Sequence, residues 1–107
     1  MSEEVFEPAV DEIQLPTVLG ALADPARLAV LRRLHEVGEA ACGTLAITAN
    51  LGLSKSTVSH HLKVLREAGL TSTRFVGTSR LVSVREDDME IACPGLLAAV
   101  IGVHSHA

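Results

Sequence analysis

The sequence predicts a mainly α chain that carries one small β-hairpin. Three stretches carry that prediction. Residues 51–70 join a short apolar turn, Leu51-Gly52-Leu53, to an amphipathic helix. Residues 70–84 alternate loosely, are rich in Thr, Val and Leu, and are interrupted by Val76-Gly77-Thr78-Ser79, the pattern of two strands and a turn. Residues 24–37 set Leu28, Leu31 and Leu34 at helical spacing behind an Asp-Pro start. A glycine-bearing turn, a polar-faced helix and a hairpin, in that order, describe a winged helix-turn-helix.

Taken along the chain, residues 1–12 hold Glu3, Glu4, Glu7, Asp11 and Glu12 with no Lys or Arg, and read as a flexible acidic arm ahead of a domain over 13–107. Pro16 suits the first turn of a helix running to about Ala23. Asp24 can cap a second helix with Pro25 at its first position, ending near Gly38; its Arg27, Arg32 and Arg33 read as solvated or paired with acids. Residues 43–50 are expected to form the first helix of the helix-turn-helix. In the second, Ser54 is a good N-cap, Gly52 and Gly69 stand where the backbone favours positive φ, and Val58, Leu62 and Leu65 make one apolar stripe. The opposite face carries Ser56, Thr57, Ser59, His60 and Lys63, small and polar first and cationic further on. Such a helix can approach base edges, because nothing bulky holds it off the groove. His61 lies between Val58 and Leu65, where packing inward is favoured over a DNA contact. Beyond the hairpin, Asp87 or Asp88 starts a short turn and Pro94 opens an apolar helix from Gly95 to Val103. Its Leu96, Leu97, Val100, Ile101 and Val103 cover more than one face and require a partner surface.

Composition narrows the function classes. At 107 residues the chain reads as one domain, 48% hydrophobic but only 2% aromatic, so its core is thin and dimerisation would reinforce it. The N-terminus is acidic rather than signal-like and no apolar run approaches the ~18–20 residues of a membrane span, so a cytoplasmic protein with no membrane partner is expected. Cys42 and Cys93 do not make a disulfide framework. A net charge of −4 argues against nucleic acid until its distribution is considered. Residues 54–85 set Lys55, Lys63, Arg66, Arg74, Arg80 and Arg85 against Glu67 alone, whereas the charged residues of 86–107 are all acidic. DNA responds to the field within a Debye length of about 8–10 Å rather than to the sum over the chain. An enzyme is not expected: there is no glycine-rich phosphate loop, nucleophile elbow or complete metal-catalysis motif, and the adjacent His60 and His61 point about 100° apart on a helix.

Leu22-Ala23-Asp24-Pro25-Ala26-Arg27-Leu28, together with Ser54-Lys55-Ser56-Thr57-Val58-Ser59-His60-His61-Leu62-Lys63-Val64-Leu65-Arg66-Glu67-Ala68-Gly69-Leu70 and the hairpin that follows, resembles the ArsR/SmtB family of bacterial regulators over about residues 15–100. The resemblance implies a homodimer joined through its first and last helices, a repressor that binds an operator and is released by a metal ion or another signal. Ser56, Thr57, Ser59 and His60 are then the expected base-edge or groove-floor contacts, with Ser54 among the DNA-binding residues at the helix start. Lys55, Lys63 and Arg80 would contact phosphate, as would the hydroxyls of Thr78 and Ser79 at the wing. The operator would be an imperfect palindrome with half-sites about 34 Å apart.

Two sensor sites common in the family do not transfer. The arsenic-type Cys-x-Cys pair falls on Gly43 and Leu45, with Cys42 one residue early, and a single thiolate cannot make a trigonal sulfur site. The zinc-type pattern falls on Glu86 and Asp88, then on Ala99 and Gly102, which leaves both histidines missing. The remaining metal candidates are His104 and His106 with Cys93, a set that suits nickel or zinc as an effector. Control by thiol oxidation or by a partner protein is the alternative for the signal. A winged-helix protein-interaction module is the alternative for the function.

Overall fold

The computed structural model describes residues 6–44 and 52–102. A short 3₁₀ turn, Val10–Glu12, precedes helices α1 (Leu15–Leu22) and α2 (Pro25–Val37). Strand β1 (Glu39–Ala41), helix α3 (Lys55–Ala68), strands β2 (Thr71–Val76) and β3 (Ser79–Val84), and helices α4 (Glu86–Ala92) and α5 (Leu96–Ile101) follow. Among the described residues no helix is long and apolar enough to cross a membrane.

Local chemistry accounts for the boundaries. The Asp24 carboxylate accepts from the backbone N–H of Ala26 (2.8 Å) and Arg27 (3.2 Å), satisfying two donors that a helix start leaves open, and Pro25 has no N–H to satisfy. Those amides, Arg27's first, and the nearby guanidinium hold the Asp24 carboxyl below its ordinary pKa. α3 starts on Ser54 and stops at Gly69, which takes φ +98° while its N–H returns to the last turn. Val58, Leu62, Leu65 and Ala68 bury the inner stripe of α3 against Val18, Val30, Leu31 and Leu34 of the first two helices. Leu70, Val82 and Met89 close the core from the side of the sheet and α4.

Three features depart from the sequence reading, and a fourth lies partly outside the described residues. The sheet has three strands, ordered β1-β3-β2, rather than a hairpin alone. β1 is Glu-Ala-Ala, too short and alanine-rich to read as a strand; it exists because β3 offers it an antiparallel partner, with Ala40 opposite Val82. Of the helix expected over 43–50, residues 42–44 are helical and the remainder lies outside the described residues. The terminal apolar helix starts at Leu96 rather than Gly95 and follows a separate helix, α4, that begins at Glu86. Pro94, with no N–H, and Gly95, at φ +84°, make the break between the two. Finally, residues 6–12, expected to belong to a flexible arm, lie against the body: Pro8 is buried, and the side chain of Ile13, just beyond, reaches Gly69.

Candidate nucleic-acid interface

The N-terminus of α3 is built around one hydroxyl. Ser54 Oγ accepts from Thr57 N (3.2 Å), donates to Thr57 Oγ1 (3.0 Å) and lies 3.1 Å from Ser56 Oγ. Ser54 and Thr57 therefore fix the helix start, while Ser56 stands on the exposed face beside them. Ser56, Ser59, His60 and Lys63 share that outer face, all exposed, with Lys55 exposed at the first turn. At about 100° per residue they lie opposite Val58, Leu62 and Leu65. The α3 residues expected to meet DNA, from Lys55 to Lys63 without the inward positions, thus share one end of one helix.

His61 turns inward and is 8% exposed. Its Nδ1 lies 3.3 Å from Nη1 of Arg27, which also donates through Nε to the carbonyl of Ala21 at 2.6 Å. A guanidinium has only donors, so Nδ1 accepts and the imidazole proton sits on Nε2. This bond ties α3 to the start of α2, a role that the Arg27 reading from sequence missed because the partner is 34 positions away.

The hairpin forms in the expected place. Val76 pairs with Ser79 across the two-residue turn Gly77-Thr78, and Gly77 takes φ +61°. Thr78, Ser79 and Arg80 are exposed at this tip. Arg80 is paired across the strands with Phe75, and its guanidinium carbon stands 5.6 Å from that ring's centroid. Phe75 thus stands beside the arginine of the expected wing contact in a cation–π arrangement. The two-residue turn fixes this register, so the pairing was available from sequence.

The remaining cations of residues 54–85 divide into two groups. Arg74 makes a bidentate pair with Glu39 at 2.8 and 3.0 Å, and that guanidinium holds the Glu39 carboxyl below its ordinary pKa. Arg66 Nε donates to the carbonyl of Phe6 (3.1 Å). Arg85 pairs with Asp88 at 3.0 Å and donates to the carbonyl of Pro8 at 2.7 Å. Lys55 and Lys63, by contrast, are exposed on α3 and have no acidic partner among the described residues.

Of the sensor candidates, Cys93 alone falls among the described residues. Cys93 is 8% exposed, a core residue between α4 and α5, and His104 and His106 lie outside the described residues. Glu86 is engaged by Nδ1 of His35 at 2.9 Å and Asp88 by Arg85. Among the described residues no group of three His, Cys, Asp or Glu side chains is placed to hold an ion. Cys42 lines a cavity of about 130 Å³ with Gly43, Lys55, Val58 and Ser59, under the first turn of α3. Burial pushes its thiol pKa up, which disfavours the reactive thiolate.

Comparison with known proteins agrees with this geometry. A family model described as a helix-turn-helix domain matches residues 22–74. The chain is 43% identical over 81 residues to YceK of Bacillus subtilis, an uncharacterized HTH-type transcriptional regulator, covering 75% of this chain and 79% of that one. Its fold is similar to that of an ArsR family transcriptional regulator, RHA00566, with a TM-score of 0.65 and 29% identity, covering 79% of this chain and 89% of the other. It is also similar to a homodimeric winged helix-turn-helix DNA-binding domain from Mycobacterium bovis solved by NMR, with a TM-score of 0.67 and 27% identity over 100% of this chain and 97% of that one.

Proposed function

The chain belongs to the ArsR/SmtB family of winged helix-turn-helix transcriptional regulators, and from that premise we propose that it is a homodimeric repressor that reads a palindromic operator through the outer face of α3. The observation that carries the proposal is the sorting of charge. Arg66, Arg74 and Arg85 are engaged within the chain, while Lys55 and Lys63 face outward around the hydroxyls of Ser56 and Ser59. Small hydroxyl side chains let the helix enter the groove, and the flanking lysines anchor it to phosphate. Arg80, Thr78 and Ser79 bring the exposed wing tip to the same backbone. Ser54 contributes by capping and presenting the helix N-terminus, and His60 stands one turn beyond Ser56 at the groove floor.

The dimer surface is the apolar one formed by α1 and the C-terminal helices. Leu15 and Leu19 are each 49% exposed and Ile91 69%. A hollow of about 520 Å³ is lined by Leu15, Ala92, Cys93, Pro94, Gly95 and Leu96. Apolar groups in this position are stabilised by burial against a second copy at roughly 25 cal/mol per Å². The two-fold arrangement would set two α3 helices about 34 Å apart, one helical turn of DNA.

Fluorescence anisotropy with a labelled duplex from the protein's own upstream promoter tests this reading. Affinity is expected to fall steeply as salt rises from about 50 to about 200 mM, on the order of 10³-fold for about six phosphate contacts. Binding indifferent to salt would contradict it. The same titration, repeated with nickel or zinc after metal removal, reads the signal; His104, His106 and Cys93 are the first ligands to replace if either ion changes affinity.

A further inference from the structure

Residues 6–13 reach across the fold to the end of α3 and to the wing. Arg66, in the last turn of α3, donates to the Phe6 carbonyl at 3.1 Å. Glu7 bridges two consecutive residues of β2: one carboxylate oxygen accepts from Ser72 Oγ at 3.0 Å and the other from the Thr73 backbone N–H at 2.8 Å. Arg85, just after β3, donates to the Pro8 carbonyl at 2.7 Å. Phe6, Glu7 and Pro8 therefore hold the end of the recognition helix, the first strand of the wing and the residue that leaves the wing. The joint between helix and wing is Gly69, and the same segment packs on it. A Cβ there would stand 2.7 Å from Ile13 Cγ1 and 3.4 Å from Pro8 Cγ.

From these contacts we infer that residues 6–13 are a strap that fixes the angle between the recognition helix and the wing, with Glu7 as the positioning residue for the wing's DNA contact. β2 is at the edge of the sheet, and the Thr73 N–H is an open donor of that edge. An acidic side chain that captures it stops the strand from turning about Gly69. Held in this way, Arg80 at the tip and Lys63 on the helix meet phosphates of one duplex at a fixed separation, so less ordering is left to occur on binding. The inference rests on the DNA-binding reading for its functional consequence.

The sign of one mutation separates this role from simple electrostatics. Replacing Glu7 removes a negative charge beside a basic face, and charge alone would tighten DNA binding. The strap makes the opposite demand. Glu7→Ala should weaken binding to the upstream duplex about fivefold, whereas Glu7→Gln, whose amide oxygen can accept from Thr73 and whose NH₂ can donate to Ser72, should retain most of the affinity. In an Arg80→Ala background the loss from Glu7→Ala should shrink to less than about twofold, because the contact being positioned is gone; in a Lys63→Ala background it should persist. Hydrogen exchange without DNA supplies a second readout: the Thr73 amide should exchange faster in Glu7→Ala than in Glu7→Gln, with the α3 amides unchanged. Equal or tighter binding by Glu7→Ala, or an equal loss in the Arg80 and Lys63 backgrounds, would overturn the proposal. Failure of the unaltered protein to bind the duplex would instead refute the DNA reading, and Thr73 exchange would still decide whether the strap exists.

Discussion

Residues 54–85 and residues 86–102 are adjacent in sequence, opposite in charge and unequal in how far the chain itself completes them. In the first region the apolar stripe of α3 finds its partners within the chain, and the polar face is left exposed. In the second, α4 and α5 are short, interrupted at Pro94-Gly95, and leave Ile91 and the hollow beside Leu15 uncovered. The difference shows what sequence periodicity can and cannot deliver. A long amphipathic helix specifies its own inner and outer faces. Two helices of 7 and 6 residues depend on a surface supplied from elsewhere.

The contrast can be tested from the interior outward. Leu65 is fully buried at the centre of the α3 stripe, and Leu65→Ala should cost about 2–5 kcal/mol, read by urea or thermal unfolding of the full chain. The equivalent change at Ile91, 69% exposed in the single chain, should leave the unfolding of an isolated subunit nearly unaltered. It should instead raise the dimer dissociation constant in sedimentation equilibrium, by an amount set by roughly 0.8 kcal/mol for each methylene taken out of the interface. If Ile91→Ala leaves the dimer untouched, the second region is not the interface. Gly69→Ala should cost about 1–2 kcal/mol, since an alanine must adopt φ +98° against the Ile13 side chain; urea midpoints of the purified variant read that loss.

A smaller effect concerns acid. Asp24 and Glu39 both have lowered carboxyl pKa values, the first from the Arg27 amide and the second from the Arg74 guanidinium. Their contribution to stability is fully present above their unfolded values, 3.8 and 4.5, and is lost as pH falls through the lower folded values. Glu39 is exposed and Asp24 only half-buried, so the change is modest. Glu39→Gln should flatten the stability profile below about pH 4.5 without changing its shape near neutrality, as measured by urea midpoints across pH.

The legible parts of the molecule are those governed by local rules. Ser54 caps α3, Asp24 caps α2, Gly69 and Gly77 take positive φ, and the hairpin closes on a two-residue turn, because each depends on neighbours within a few positions. The parts that could not be read depend on distant partners. β1 needs β3, the His61 imidazole needs Arg27, and the docking of Glu7 needs a strand edge 65 positions away. The candidate site was half legible for the same reason. Sequence placed the hydroxyls and Lys63 on one face. That Arg66, Arg74 and Arg85 are engaged elsewhere, leaving Lys55 and Lys63 as the outward cations beside the recognition hydroxyls, follows chiefly from contacts with Phe6, Glu39 and Pro8 that span the fold.

This division of the basic residues predicts unequal salt dependence for two single variants. Lys63→Gln and Arg74→Gln remove the same charge from the same basic region, one from the outer face of α3 and the other from the pair with Glu39. Measured by anisotropy on the upstream duplex, Lys63→Gln should reduce the slope of log K against log salt by about 1.8, the value for one phosphate contact removed from each subunit of the dimer, and Arg74→Gln should leave it unchanged. Equal slopes for the two variants would mean that DNA senses the basic region as a diffuse field, and the assignment of phosphate contacts to the outward lysines would be wrong.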